Sequence, residues 1–135
     1  MEITGIIETC LYSEKLLALK HFYERLPGVS LIAEEKGRHL FFRCGFQMLL
    51  IFDPNHTSVE QTEVNGKRIP LHGAKGAIHI AFSVQNNTID QWKSLMKRNS
   101  IPIESEVTWP NGSVSIYFRD PAGNSLEIAE QGLWN

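Results

Sequence analysis

Apolar and polar positions alternate from the start of the chain. Residues 3–11 read as a strand with Ile7, Thr9 and Leu11 on one face and Ile6, Glu8 and Cys10 on the other. The period then lengthens: Leu16, Leu19, Tyr23 and Leu26 recur at helical spacing, supplemented by Phe22, with Ser13 as a cap, Glu14 near the positive end and Pro27-Gly28 as a stop. Residues 29–35 alternate as a strand, Lys36-Gly37 turns, 39–44 returns, Gly45 turns again, and 48–52 is a short, wholly apolar strand. Residues 53–76 hold Pro, Asn, Gly and mixed charge without sustained periodicity and predict a linker or functional loop.

The same order then restarts. Residues 77–84 read as a strand, Asn87 can cap a helix with Ile89, Trp92 and Met96 on one face, and Lys97 and Arg98 suit its C-terminal end. Residues 103–109 form a strand, Pro110-Asn111-Gly112 a hairpin turn, and 113–119 and 125–130 a strand pair joined by Asp120-Pro121-Ala122-Gly123-Asn124. The expected fold is α+β: two β-α-β-β-β modules, residues 1–54 and 77–131, joined by the 53–76 connection and forming a curved mixed sheet around a cup. The helices need apolar sheet faces to cover, and Ile7 and Leu11, Leu49 and Ile51, Ile80 and Phe82, and Leu126 and Ile128 supply them.

Composition narrows the function classes. The length of 135 residues suits one domain, and 42% hydrophobic with 21% charged residues excludes a disordered chain. Thirteen basic against fifteen acidic residues, without a basic cluster, argue against nucleic acid or a membrane surface as partner. The longest apolar run, 48–52, is far short of the roughly 20 residues of a bilayer helix. Cys10 and Cys44 have neither metal nor redox spacing, and no export-type segment opens the chain, so a reduced, cytoplasmic setting is expected.

The polar sheet faces carry the candidate chemistry. The first strand presents Glu8 beside Ile6 and Cys10; the second module presents His79 between Ala77 and Ala81, and Glu127 between Ser125 and Ala129. If both sheets curve towards a common cup, one imidazole and two carboxylates converge, a donor set suited to a divalent cation with open positions for water and substrate. Leu50 holds the fourth equivalent position and cannot coordinate. Each residue also has a plainer reading: His79 as a hydrogen-bonded core histidine, Glu127 as a surface acid with small neighbours, Glu8 as a carboxylate paired with a cation. His72 could swing over the cup mouth from the connecting loop, and Trp109 and Tyr117 line a cavity or fill the core. Nothing in the sequence lowers the pKa of Cys10, which argues against a catalytic thiol.

His79-Ile80-Ala81-Phe82, the run from Tyr117 to Asn124 with Glu127 just after it, and the helix signature Phe22-Tyr23-Glu24 with Pro27-Gly28 resemble the vicinal oxygen chelate superfamily. That superfamily includes glyoxalase I, bleomycin and fosfomycin resistance proteins and extradiol dioxygenases. The resemblance implies one divalent metal (Mn, Fe, Ni, Zn or Mg) held by Glu8, His79 and Glu127, with Glu8 or Glu127 also moving a proton as a catalytic acid or base. It implies a homodimer and a small oxygenated substrate bound through vicinal oxygens, transformed by lyase, isomerase, dioxygenase or thiol-transfer chemistry. The chain has Glu8 where many members have His, and Leu50 where glyoxalase-like members have Glu or Gln. The second departure counts against classical glyoxalase I activity. The alternative is a metal-free, small-molecule binding protein of bleomycin-resistance type, which Met48, Leu50 and Phe52 favour by making one wall apolar.

Overall fold

A computed structural model describes every residue, Met1–Asn135, and the chain divides into two units, Met1–Lys75 and Gly76–Asn135. In the first unit the elements are β1 (Glu8–Tyr12), α1 (Leu16–Tyr23), β2 (Val29–Glu35), β3 (His39–Cys44), β4 (Gln47–Phe52), α2 (Pro54–Thr57), β5 (Glu63–Val64) and β6 (Lys67–Arg68). The second unit holds β7 (His79–Val84), α3 (Ile89–Arg98), β8 (Ile103–Thr108), β9 (Val114–Arg119) and β10 (Ser125–Glu130).

Each unit carries its own four-stranded mixed sheet, ordered β1-β4-β3-β2 in the first and β7-β10-β9-β8 in the second. The first strand of each unit runs parallel to the last, and the other pairs are antiparallel. The repeat extends to an irregularity: register shifts within β2, between Leu31 and Ala33, and at the matching place in β8, between Ile103 and Ser105. A bulge there bends and twists the edge strand, which blunts its open ladder.

One face of each sheet is buried beneath its helix. In the first unit α1 packs on β2 and β3, with Leu19, Phe22 and Tyr23 buried over Leu11, Leu40, Phe42 and Ile51. The Tyr23 and Phe42 rings lie 5.6 Å apart, a tilted aromatic contact. In the second unit α3 packs on β9, and Met96, Ile116, Phe118, Leu126 and Ile128 are buried. Of the expected core pairs, Ile80 and Phe82 are only half-buried, and Ile7 is exposed.

Three local expectations are corrected. The first strand begins at Glu8 rather than at residue 3. Neither predicted cap sits at the N-cap: that position is Lys15 in α1 and Thr88 in α3, neither with a side-chain capping bond. Ser13 instead accepts from the Lys15 N–H at 3.0 Å, and Asn87 takes a positive φ of 63° with its N–H donated to Glu130 Oε1. Asparagine tolerates that left-handed backbone better than most residues. Finally, residues 53–76 are not a plain loop: they form α2, capped by Asp53 accepting from the Asn55 N–H, and the β5–β6 ladder. This segment is tied to the rest of the first unit by the bonds from Asp53 N–H to Arg38 O and from Arg38 Nη2 to Thr62 Oγ1, and is folded on itself by the bond from His72 N–H to Thr57 O.

Candidate metal and ligand site

In the second unit, strand register decides which side chains meet. Glu127 stands opposite Tyr117 on β9 and opposite Ala81 on β7, while His79 stands opposite Ser125. His79, Ser125, Glu127 and Tyr117 therefore share the sheet face turned away from the buried Leu126 and Ile128. The turn from β9 to β10 holds this register. Asp120 Oδ1 accepts from the backbone N–H groups of Ala122 and Asn124, and its Oδ2 from Asn124 Nδ2. Asn124 Oδ1 in turn accepts from the Ile78 N–H at 3.0 Å, pinning the residue just before His79.

His79 Nδ1 lies 3.1 Å from the Ser125 carbonyl oxygen, which can only accept, so Nδ1 carries the hydrogen. In the neutral ring, Nε2 then presents a lone pair, and it faces Glu127 Oε2 at 3.3 Å. Two acceptors facing each other call for a proton or a cation between them. The Glu127 side chain is only 5% exposed, whereas the His79 ring is 53% exposed, leaving an approach from that side. Glu127 Oε1 is buried without any hydrogen-bond partner, an arrangement that costs free energy unless something is bound there. Two ligands about 2.1 Å from one ion and about 90–110° apart lie about 3.0–3.4 Å from each other. The donor pair therefore fits a divalent ion. Tyr117 completes the group: burial, then the nearby Glu127 charge, push its phenol pKa up, so the phenol keeps its proton.

Glu8, the third predicted ligand, belongs to the first unit, where it opens β1 and is exposed. Within neither unit do three or more His, Cys, Asp or Glu side chains gather to hold a metal ion. Glu8 lines a pocket of about 640 Å³ formed within the first unit. The register places Cys10 beside Leu50, Tyr12 beside Phe52, Phe41 beside Leu50 and His39 beside Phe52, so these residues share one face. His72, from the connecting segment, reaches the same pocket, where its Nδ1 lies 2.8 Å from the Tyr12 hydroxyl. Trp109 does not line it; its Nε1–H donates to Ser115 Oγ at 3.0 Å in the second unit.

Burial, then the Glu8 charge, raises the Cys10 thiol pKa, with a Tyr12 hydrogen bond partly opposing, which argues against a nucleophilic thiolate there. Burial lowers the His39 imidazole, with Glu35 opposing and Arg38 reinforcing. The pocket residues that sequence reasoning missed include Tyr12, His39 and Phe41. Extending the period-two parity of Glu8 and Cys10 one step reaches Tyr12, but His39 and Phe41 need the β3–β4 register, which no local pattern supplies.

With this geometry in place, the family follows. A family model described as Glyoxalase/Bleomycin resistance protein/Dioxygenase superfamily matches residues 5–128, and the chain belongs to that superfamily. Among solved structures it is similar to a lactoylglutathione lyase from Agrobacterium tumefaciens, with 41% identity and a TM-score of 0.90 over 100% of this chain and 99% of that one. It is also similar to virulence protein STM3117 from Salmonella typhimurium, with 25% identity and a TM-score of 0.70 over 96% of this chain and 98% of that one. The fosfomycin resistance protein FosX from Listeria monocytogenes shares the fold at 20% identity, with a TM-score of 0.69 over 98% and 97% of the two chains. No curated protein sequence matches.

Proposed function

We propose that this chain is a metal-dependent enzyme of glyoxalase type, a lyase or isomerase acting on a small oxygenated molecule. The observation that carries this reading is the Glu127–His79 pair, in which two lone pairs converge and the second carboxylate oxygen, buried, has no partner. His79 Nε2 and the Glu127 carboxylate would hold a divalent ion, with Glu8 as the third ligand on the strength of the family resemblance. Such an ion, when bound, supplies Lewis acidity towards substrate oxygens.

The rest of the chemistry belongs to the chain's own residues. The Ser125 carbonyl fixes the His79 ring and its tautomer, and Tyr117 stands opposite Glu127 on the neighbouring strand. Ala81 and Ser125 keep the neighbouring volume small. Glu8, exposed at the head of β1, is the carboxylate this reading uses to take up and return a proton at a substrate carbon once it loosens from the ion. The likeness to a lactoylglutathione lyase supports lyase chemistry. Leu50 leaves the donor set one short of the glyoxalase pattern, so the substrate proposed is a small oxygenated compound other than the glyoxalase I hemithioacetal.

A homodimer is part of this proposal. Ile6, Ile7 and Phe46 are exposed, and Gln47 Nε2 bonds the Ile6 carbonyl at 3.2 Å, gathering apolar surface beside the β3–β4 turn. Two free thiols, Cys10 and Cys44, support a reducing, cytoplasmic setting, and no helix is long and apolar enough to cross a membrane. A second reading, a metal-free binding protein, is favoured by the apolar wall around Leu50.

Elemental analysis of protein purified without chelator or metal-affinity steps separates the two. The enzyme reading expects near-stoichiometric metal in the parent and its loss in Glu8→Ala, His79→Ala and Glu127→Ala. A parent that holds none, and takes up none on dialysis against Mn, Fe, Ni, Zn or Mg, overturns it in favour of binding alone.

A further inference from the structure

The first-unit pocket has a chemistry of its own. At about 640 Å³ it has room for a one- or two-ring molecule. Its rings mesh around Phe52: His72 at 5.0 Å, Phe41 at 5.5 Å, His39 at 6.0 Å and Tyr12 at 6.3 Å between centroids. His39 also stacks on Phe41 at 4.2 Å with the planes 14° apart. Leu50 is buried among them. Offset and edge contacts between rings are what such walls offer a guest.

Charge narrows the guest further. Arg38, the one cation lining the pocket, already donates to Thr62 Oγ1 at 3.0 Å and lies 3.7 Å from Glu35 Oε1. In the metal-free chain, with that pair cancelling and His39 held neutral, Glu8 leaves the pocket with a negative surplus, which disfavours an anionic guest. Two polar groups are left to orient a guest, the buried and unpartnered Thr57 Oγ1 and the His72 imidazole. A phenol hydroxyl is the natural donor to an imidazole nitrogen, so Tyr12 donates to His72 Nδ1 across 2.8 Å, and the neutral ring then carries its own hydrogen on Nε2. His72 is thereby set as a hydrogen-bond donor beside the aromatic wall of the chamber.

We propose that this pocket binds an uncharged aromatic carbonyl compound, its ring held against Phe41 and Phe52 and its oxygen accepting from His72 Nε2–H. The inference deepens the proposed function by naming the class of its oxygenated substrate, and it rests on that reading in taking the pocket beside Glu8 as the substrate compartment.

Titrations of the full-length chain followed by amide proton–nitrogen spectra test it, with acetophenone, ethylbenzene and benzoate as probes and EDTA present throughout. Acetophenone is expected to shift first-unit resonances and to bind about three- to tenfold more tightly than ethylbenzene, the worth of one hydrogen bond, with benzoate weakest. His72→Phe, which keeps a ring and removes the donor, should bring acetophenone down to the ethylbenzene level and leave ethylbenzene unchanged. Acetophenone binding no tighter than ethylbenzene, or neither binding the folded parent, overturns the proposal. Because the titrations exclude metal, probe binding with no metal uptake leaves this inference standing and removes the metal-enzyme reading. Metal uptake without probe binding does the reverse.

Discussion

A single atom, Glu127 Oε1, carries the most information at the residue scale, because a buried carboxylate oxygen without a donor is rare in a folded chain. Replacing the acid with its amide tests the other carboxylate oxygen, Oε2, which faces His79 Nε2. In metal-free protein, Glu127→Gln should raise stability by about 1 kcal/mol, since an amide can donate to the His79 Nε2 lone pair where the carboxylate cannot. Thermal denaturation in EDTA reads this directly; a lower melting temperature in the variant would count against the acceptor–acceptor contact. His39 supplies a pH prediction. Its folded pKa lies below the ordinary imidazole value of about 6.5, mainly through burial, so the unfolded chain binds the proton more readily. The stability tied to the neutral ring is present above about pH 6.5 and is lost as pH falls below it, towards the lower folded value. His39→Gln should therefore lose less stability than the parent between pH 7.5 and 5.5, and equal losses in urea titrations would refute the assignment.

At the scale of elements, the β9–β10 turn sets the second-unit site. Its Asp-Pro-Ala-Gly-Asn sequence reads locally as turn chemistry, but Asp120 and Asn124 are both buried, and Asn124 reaches across to the backbone of Ile78. The turn thus bonds the first strand of the unit to its last, which is how His79 comes to stand beside Ser125. Asp120→Ala strips acceptors from the Ala122 and Asn124 N–H groups and from Asn124 Nδ2, and should cost about 1–3 kcal/mol. Urea unfolding with an unchanged slope and a lower midpoint is the expected result, and an unmoved midpoint would show that the turn is held by other contacts.

For the whole molecule, the proposed homodimer is the property most open to test. Sedimentation of the parent at tens of micromolar should give about twice the 15.3 kDa chain mass, and Ile7→Glu should shift the population towards single chains, because a charge in an apolar contact loses its water without gaining a partner. A parent that sediments as single chains would leave the exposed Ile6, Ile7 and Phe46 without that explanation.

Much of this protein is legible in the sequence because period and punctuation are local properties. The alternation of β10 alone puts Glu127 opposite the face of Leu126 and Ile128, and the repeated β-α-β-β-β order appears in the structure as two sheets of matching strand order. What local pattern could not supply is which strands lie side by side and in what register. That decides that His79 meets Glu127 while Glu8 opens a pocket walled by Tyr12, Phe41, Phe52 and His72. Partners far apart in the chain are selected by hydrogen bonds and by burial over the whole fold, and a register shift of one residue would turn each of these side chains to the opposite face.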